Sequence, residues 1–186
     1  MYPIFLKLES EPCLVVGGGT VAARKVRGLL AAEAQVTVVS PETAAELASL
    51  ARAGKIAWRQ RPFAAGDLAG FRLAIAATNS KAVNAQVYEE AMRLGIPVNA
   101  VDDPQHSSFF VPSVVRRGLL TLAISTSGAV PYLARRLREH LETRFYPELA
   151  QEVEELRAVR GRLAGTLLEQ ELEPRVRRIL DRLDGR

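Results

Sequence analysis

One cysteine, two histidines, one tryptophan and an aromatic share of 6% exclude several kinds of protein for this chain of 186 residues. Cys13 has no second cysteine to bridge to, so an intrachain disulfide is excluded, and its place in the apolar run Cys13–Val16 reads as an inert buried thiol in a reducing compartment. His106 and His140 cannot make a usual structural zinc site without further cysteines; both are read as surface residues, and no metal ligand is assigned. Few aromatics and no basic stripe argue against a nucleic-acid binder. No apolar run approaches the roughly 20 residues of a membrane span, and Met1–Glu9 lacks the basic head of a signal peptide. We therefore expect no membrane association and a cytoplasmic location. Internal repeats and low-complexity tracts are also missing.

What is present is a globular composition, 48% hydrophobic and 25% charged, enough for one good core and an appended subdomain. From residue 13 to about 100, short Val/Ile/Leu/Ala runs alternate with helical stretches, the pattern of parallel βαβ units. Strands are predicted at Cys13–Val16, Gln35–Val39, Ile56–Arg59, Leu73–Ala76 and Pro97–Ala100. Helices are predicted at Val21–Ala32, Thr43–Ala53 and Ala82–Leu94, with Gly54 and Gly95 as stops. The third crossover, around Asp67–Gly70, is short and ill-defined. The fold class is α/β: a Rossmann-type, doubly wound parallel sheet, followed by a small β region and a C-terminal helical domain.

After residue 100 the pattern changes. Ser108–Val115 and Leu119–Ser125 read as a hairpin about a turn at Arg116–Gly118, with Pro112 confining the first run to an edge or a bulge. Pro131 opens a helix, apolar residues follow at Leu149, Val153, Leu156, Leu163 and Leu167, and Glu173–Leu183 reads as a short last helix. The domain boundaries we expect are 1–112, 113–146 and 147–186. The apolar hairpin and the later apolar stripe predict a homodimer, with an intrachain helical cap over the hairpin as the other reading.

The sharpest local signal is Gly17-Gly-Gly-Thr-Val-Ala22, which fits G-x-G-x-x-G/A through Gly17, Gly19 and Ala22 between a buried strand and a helix. A tight turn, a backbone open to a pyrophosphate and close helix–strand packing each require a residue with little or no side chain. The second strand ends Val38-Val-Ser-Pro-Glu42, with no acid at its end to grip a ribose. Ser40 and the backbone of Pro41 and Glu42 are left to face it, and the absence of a nearby arginine favours NAD over NADP. Thr78 and Asn79, at the end of the fourth strand, either border the cofactor, or Asn79-Ser80 simply caps the next helix. Asn99-Ala-Val-Asp-Asp103 brings paired carboxylates to the carboxyl edge of the fifth strand. Spacing alone leaves open whether Asp102 and Asp103 perform acid–base chemistry or start a turn. Ser125, Thr126, Ser127 and Gly128 make either an anion-binding turn or a plain cap, and Arg135 belongs to a helix start rich in arginine.

Gly17–Lys25, Ala76–Asn79, Asn99–Asp103, Ser108–Ser113 and Ser125–Glu139, in this order and spacing, resemble the precorrin-2 dehydrogenase/sirohydrochlorin ferrochelatase family, which supplies the N-terminal module of sirohaem synthases. The likeness runs from about Pro3 to Leu141. It implies an NAD-binding domain, a dimerisation region of strands and a helical domain in an entwined homodimer. The implied reaction is NAD-dependent oxidation of precorrin-2 to sirohydrochlorin, in some members followed by ferrous iron insertion. The family's essential aspartate falls on Asp102, and its dinucleotide contacts on Gly19, Thr20, Val21, Pro41 and Glu42. Asn99, Ser125, Thr126, Ser127 and Arg135 are assigned to the substrate. A serine that is phosphorylated in the sirohaem synthase branch is matched by Thr126.

Charge is consistent with that substrate: residues 113–150 hold six basic against three acidic side chains, and Arg116, Arg117, Arg135, Arg136 and Arg138 suit a compact polycarboxylate better than a phosphate track. A solvated basic helix face is the plainer alternative. Because the chain ends at residue 186, we expect no fused methyltransferase and a separate supplier of substrate. The competing function is a nucleotide-sensing Rossmann module without catalysis, which would need no polar constellation beyond the glycine loop.

Overall fold

A computed structural model describes residues 1–162 and 166–185, with side chains of 166–168 left aside. It divides into two compact units, Met1–Phe110 and Val111–Arg186.

In the first unit, β1 (Pro12–Val16), β2 (Gln35–Val39), β3 (Ala57–Arg59), β4 (Leu73–Ala76) and β5 (Val98–Ala100) form one all-parallel sheet in the order β3-β2-β1-β4-β5. Helices α1 (Thr20–Leu30) and α2 (Ala45–Arg52) cover one face, α3 (Lys81–Leu94) the other. The continuous apolar strands follow from this burial on both sides: Cys13 and Val15 pack with Ala22, Val26 and Leu47, while Leu14 and Val16 pack with Val87 and Ala91. Gly95, in the left-handed region at φ 68°, ends α3. The doubly wound expectation holds, and the strand order reverses between β1 and β4.

The ill-defined third crossover is a loop held by two buried carboxylates. Asp67 accepts from Arg61 (2.7 Å) and the Ala64 amide (2.9 Å), and Glu90 accepts from the Gly66 and Leu68 amides at 3.0 and 3.1 Å. These bonds satisfy backbone that a helix would otherwise pair internally.

The second unit holds an antiparallel hairpin, β6 (Ser113–Arg117) and β7 (Leu120–Ile124), with α4 (Pro131–Arg144), α5 (Leu149–Arg162) and α6 (Thr166–Asp184). Three expectations need correction here. Arg116 and Arg117 belong to β6, and the turn is Gly118–Leu119, with Gly118 at φ 57°. The last helix starts at Thr166 and not at Glu173, so Pro174 lies inside it. The run Ser108–Pro112 is no strand, since Pro112 has no amide to give to a ladder. Of the apolar stripe, Leu149 is buried within the chain; Leu163 and the Leu167 side chain lie outside the described residues.

Candidate active site

The turn from β1 to α1 sits at the switch point, and its three glycines have different reasons to be there. Gly17 has φ 121°, and a Cβ on it would lie 2.3 Å from the Ala77 carbonyl oxygen. On Gly18 a Cβ would lie 1.9 Å from the Glu42 carbonyl oxygen. These two let the loop pass between the ends of β4 and β2. Gly19 differs, because nothing lies within 4 Å of the Cβ it lacks. It occupies the N-cap of α1 without a capping side chain, and the first turn carries no acid. The helix therefore presents Thr20, Val21 and Ala22 amides, with their partial positive charge, to an open space kept clear at Gly19.

Along the sheet's carboxyl edge, Ser40 is buried and its hydroxyl donates to the Glu42 carbonyl, closing the turn that leaves Pro41 and Glu42 exposed. Trp58 Nε1 donates to the Ser40 carbonyl at 3.0 Å. The backbone of Arg59 is bonded to Ser40, but its guanidinium is drawn to Asp67 at 3.4 Å and over the Phe71 ring. Thr78 is locked on Asn84, donating from Oγ1 at 2.7 Å while its carbonyl accepts from Asn84 Nδ2 at 3.1 Å. Of the Asn79-Ser80 pair, Ser80 caps α3 by accepting from the Val83 amide. Asn79 stands exposed beside the glycine turn's neighbour, Thr78.

The two aspartates after β5 are in different situations. Successive residues of a strand point to opposite sides, but the strand has ended at Ala100 and a turn follows. Asp102 is exposed with φ 58°, a conformation that costs most residues about 1–2 kcal/mol. Asp103 is occupied: it accepts from the His106 amide, and its Oδ2 lies 2.7 Å from His106 Nδ1. That hydrogen bond holds the Asp103 carboxyl below its ordinary value. His106, read as a surface residue, is half-buried and meets the Tyr88 ring edge to face, with centroids 5.2 Å apart.

Asn99 is buried, with Nδ2 donating to the Phe109 carbonyl at 3.0 Å and Oδ1 accepting from Lys25 Nζ at 3.5 Å. The hydroxyls of Ser107 and Ser108 accept from the Ala100 and Val98 amides at 3.0 and 2.9 Å, covering the open edge of β5 where a sixth strand would lie. Lys25 was not among the residues read as functional. Its signal was nonetheless present, since it takes the i+3 place after Ala22 in a stripe completed by Val26 and Leu29. Cys13 behaves as read, with burial pushing its thiol up to about 11.

In the second unit, Ser125 Oγ accepts from the Ser127 amide and Thr126 Oγ1 from the Val130 amide, both at 3.1 Å. Ser127 and Gly128 both have positive φ, at 57° and 80°. The hydroxyls thus shape the turn before α4. Arg117 donates to the Glu142 carbonyl at 2.7 Å, and Arg135 and Arg136 pair with Glu139 at 2.9 and 2.7 Å. Arg138 pairs with Glu142 at 2.6 Å, so the basic excess here is partly neutralised on its own helix. Among the described residues no group of three or more His, Cys, Asp or Glu side chains could hold a metal ion.

An open parallel sheet whose switch point carries this glycine turn defines a dinucleotide-binding protein of the Rossmann class. Residues 4–113 match the model of an NAD(P)-binding family, and residues 117–144 match that of the sirohaem biosynthesis protein central region. Siroheme synthase 3 of Aeromonas hydrophila is 52% identical over 140 residues, which is 75% of this chain and 30% of that protein. The siroheme synthase of Methylococcus capsulatus is 51% identical over 141 residues, 76% of this chain and 30% of that protein. The chain thus spans about a third of the length of these curated relatives. A solved structure titled "SirC, precorrin-2 dehydrogenase" is similar over 100% of both chains, with TM-score 0.78 and 29% identity. The chain belongs to this NAD(P)-binding family, in the branch shared by sirohaem synthases and precorrin-2 dehydrogenases.

Proposed function

We propose that the protein catalyses NAD-dependent dehydrogenation of precorrin-2 to sirohydrochlorin. One observation carries the chemistry: the space held open at Gly19 and the exposed Asp102 lie at the same carboxyl edge of one sheet. The likeness to a precorrin-2 dehydrogenase along its whole length supports this choice of substrate.

In this reading the amides of Gly19, Thr20 and Val21 hold the pyrophosphate, and the Pro41–Glu42 backbone faces the adenosine ribose beside the buried Ser40. Thr78 and Asn79 border the dinucleotide farther along. NAD is preferred over NADP because the Arg59 guanidinium is turned away, toward Asp67, and a 2′-phosphate has no cation at the second strand's end. When bound, NAD supplies the acceptor for the hydride. The chain's own part is the proton: oxidation removes a hydride and a proton, and the exposed Asp102 carboxylate accepts the proton. Asp103 is the supporting member, held by His106.

Precorrin-2 is a polycarboxylate. Asn99 belongs to its site in the first unit, and Ser125, Thr126, Ser127 and Arg135 are proposed to meet it from residues 113–146, which we keep as the substrate and dimerisation region ahead of the helical domain 147–186. The protein works as a homodimer, which would cover the exposed Leu119, Val130, Tyr132, Leu133 and Leu137. Ferrous iron as a second substrate, inserted into sirohydrochlorin, is part of the same proposal, with Asp102 accepting pyrrole protons. Its place is the cytoplasm; no helix among the described residues is long and apolar enough to cross a membrane. Anaerobic incubation with precorrin-2 and NAD tests the reading: NADH should appear together with the sirohydrochlorin spectrum. NAD binding without NADH formation would instead favour a sensing module.

A further inference from the structure

We propose that Lys25 is a specificity-determining residue of the substrate site, its ammonium receiving a carboxylate arm of the tetrapyrrole beside Asn99 and Asp102. This rests on the dehydrogenase reading above and adds a substrate contact to it.

The first argument is placement. Lys25 sits in the apolar stripe of α1, between the buried Ala22, Val26 and Leu29, where a helix packed on a sheet ordinarily carries an aliphatic residue. Its stem follows that packing and its head emerges at β5, on Asn99. Asn99 cannot turn away, because its amide nitrogen is fixed by the Phe109 carbonyl at 3.0 Å. The oxygen is therefore held toward Lys25.

The second argument is unmet bonding. An ammonium has three donors, and Lys25 places one on Asn99 at the long distance of 3.5 Å. Among the described residues it forms no ion pair. Burial, and secondarily Arg24, work against its charge, and Asp102 is the carboxylate whose field supports it. A half-buried cation with one weak neutral partner is a liability to the fold. Positioned at the ligand edge, it is better explained by an anion that arrives with a ligand.

The third argument identifies which ligand. Lys25 lies five residues beyond Thr20, roughly 8 Å along the helix from the pyrophosphate end. Its neighbours Asn99, in β5, and Asp102, in the turn that follows it, lie across the switch point from β2, where the adenosine ribose would lie. The cation therefore faces the half of the site left to substrate.

The test compares the full-length wild type with Lys25→Met and Lys25→Arg. It measures NAD and metal-free sirohydrochlorin binding by calorimetry, thermal melting, and steady-state NADH formation from precorrin-2. Lys25→Met should weaken sirohydrochlorin binding and raise KM for precorrin-2 about tenfold, the loss of one charge-assisted contact. It should leave NAD affinity unchanged and melt no lower than the wild type. Lys25→Arg should recover part of the binding. Unchanged sirohydrochlorin affinity with a lower melting temperature would make Lys25 a structural strut and overturn the proposal. Loss of NAD affinity would make it a cofactor contact, and a fall in kcat with KM unchanged would make it a proton acceptor; either overturns it as well. If the wild type itself binds no sirohydrochlorin and makes no NADH, the dehydrogenase reading fails and this assignment fails with it.

Discussion

Replacing Gly19 by alanine should separate folding from cofactor binding. A Cβ at this position meets no protein atom within 4 Å, and the backbone angles, φ −77° and ψ −175°, are open to any residue. Two small effects on stability oppose each other. Alanine is a poorer N-cap than glycine, by up to about 1 kcal/mol, while it restricts the unfolded chain by about 0.4–1 kcal/mol in favour of folding. The net change should lie within about 0.5 kcal/mol, and a denaturation midpoint should barely move. Binding is another matter, because the methyl group would stand where the pyrophosphate must approach the α1 amides. Losing two hydrogen bonds to a charged group, at about 1.5–3 kcal/mol each, weakens binding by roughly hundredfold or more. Gly17→Ala is the contrasting control: at φ 121°, with a backbone oxygen at 2.3 Å, it should lower stability by more than about 2 kcal/mol. Calorimetric titration with NAD, beside urea denaturation of both variants, reads both effects. Unchanged NAD affinity in Gly19→Ala would refute the argument and remove this loop from the site.

Asp102→Asn keeps a residue type that tolerates the left-handed turn; it should bind NAD normally and lose about 10²–10⁴-fold in NADH formation, whereas Asp103→Ala should lose much less. Equal losses in steady-state turnover would end the distinction between the pair. Asp67→Asn should cost about 1–2 kcal/mol of stability at neutral pH, a figure kept low because Arg61 is 43% exposed. Asp67 is held below the ordinary value of 3.8, chiefly by its hydrogen bond from Arg61, so its contribution is complete above that pH and fades as pH falls further. The stability gap between wild type and variant should accordingly begin to narrow as pH falls below about 3.8 and keep narrowing as it falls further, and a gap that does not narrow there would contradict the assignment. Light scattering at low micromolar concentration should report a dimer, and a mass near 20.3 kDa would exclude a stable one.

The sheet was legible because its strands are buried on both faces and punctuated by glycine: Cys13–Val16 and Leu73–Ala76 are long apolar runs whose neighbours leave little choice. The crossover around Asp67 was not, because its order comes from Glu90, distant in sequence, and no local pattern records that bond. At the site, the glycine turn could be read from spacing, yet spacing could not tell Gly17 and Gly18, which meet backbone, from Gly19, which meets nothing. The difference between Asp102 and Asp103 became physical only with the His106 contact. Lys25 was overlooked because a lysine on an alanine-rich helix reads as a helix former until Asn99 is found beside it.

The central claim is that this fold oxidises a reduced tetrapyrrole with NAD. Its most direct measurement is a single-turnover reaction under anaerobic conditions, enzyme in excess over precorrin-2, with NADH and the tetrapyrrole spectrum followed together. The account predicts one NADH for each precorrin-2 consumed, with sirohydrochlorin appearing in the same phase. Conversion without NADH, or NAD bound while precorrin-2 persists unchanged, would contradict it.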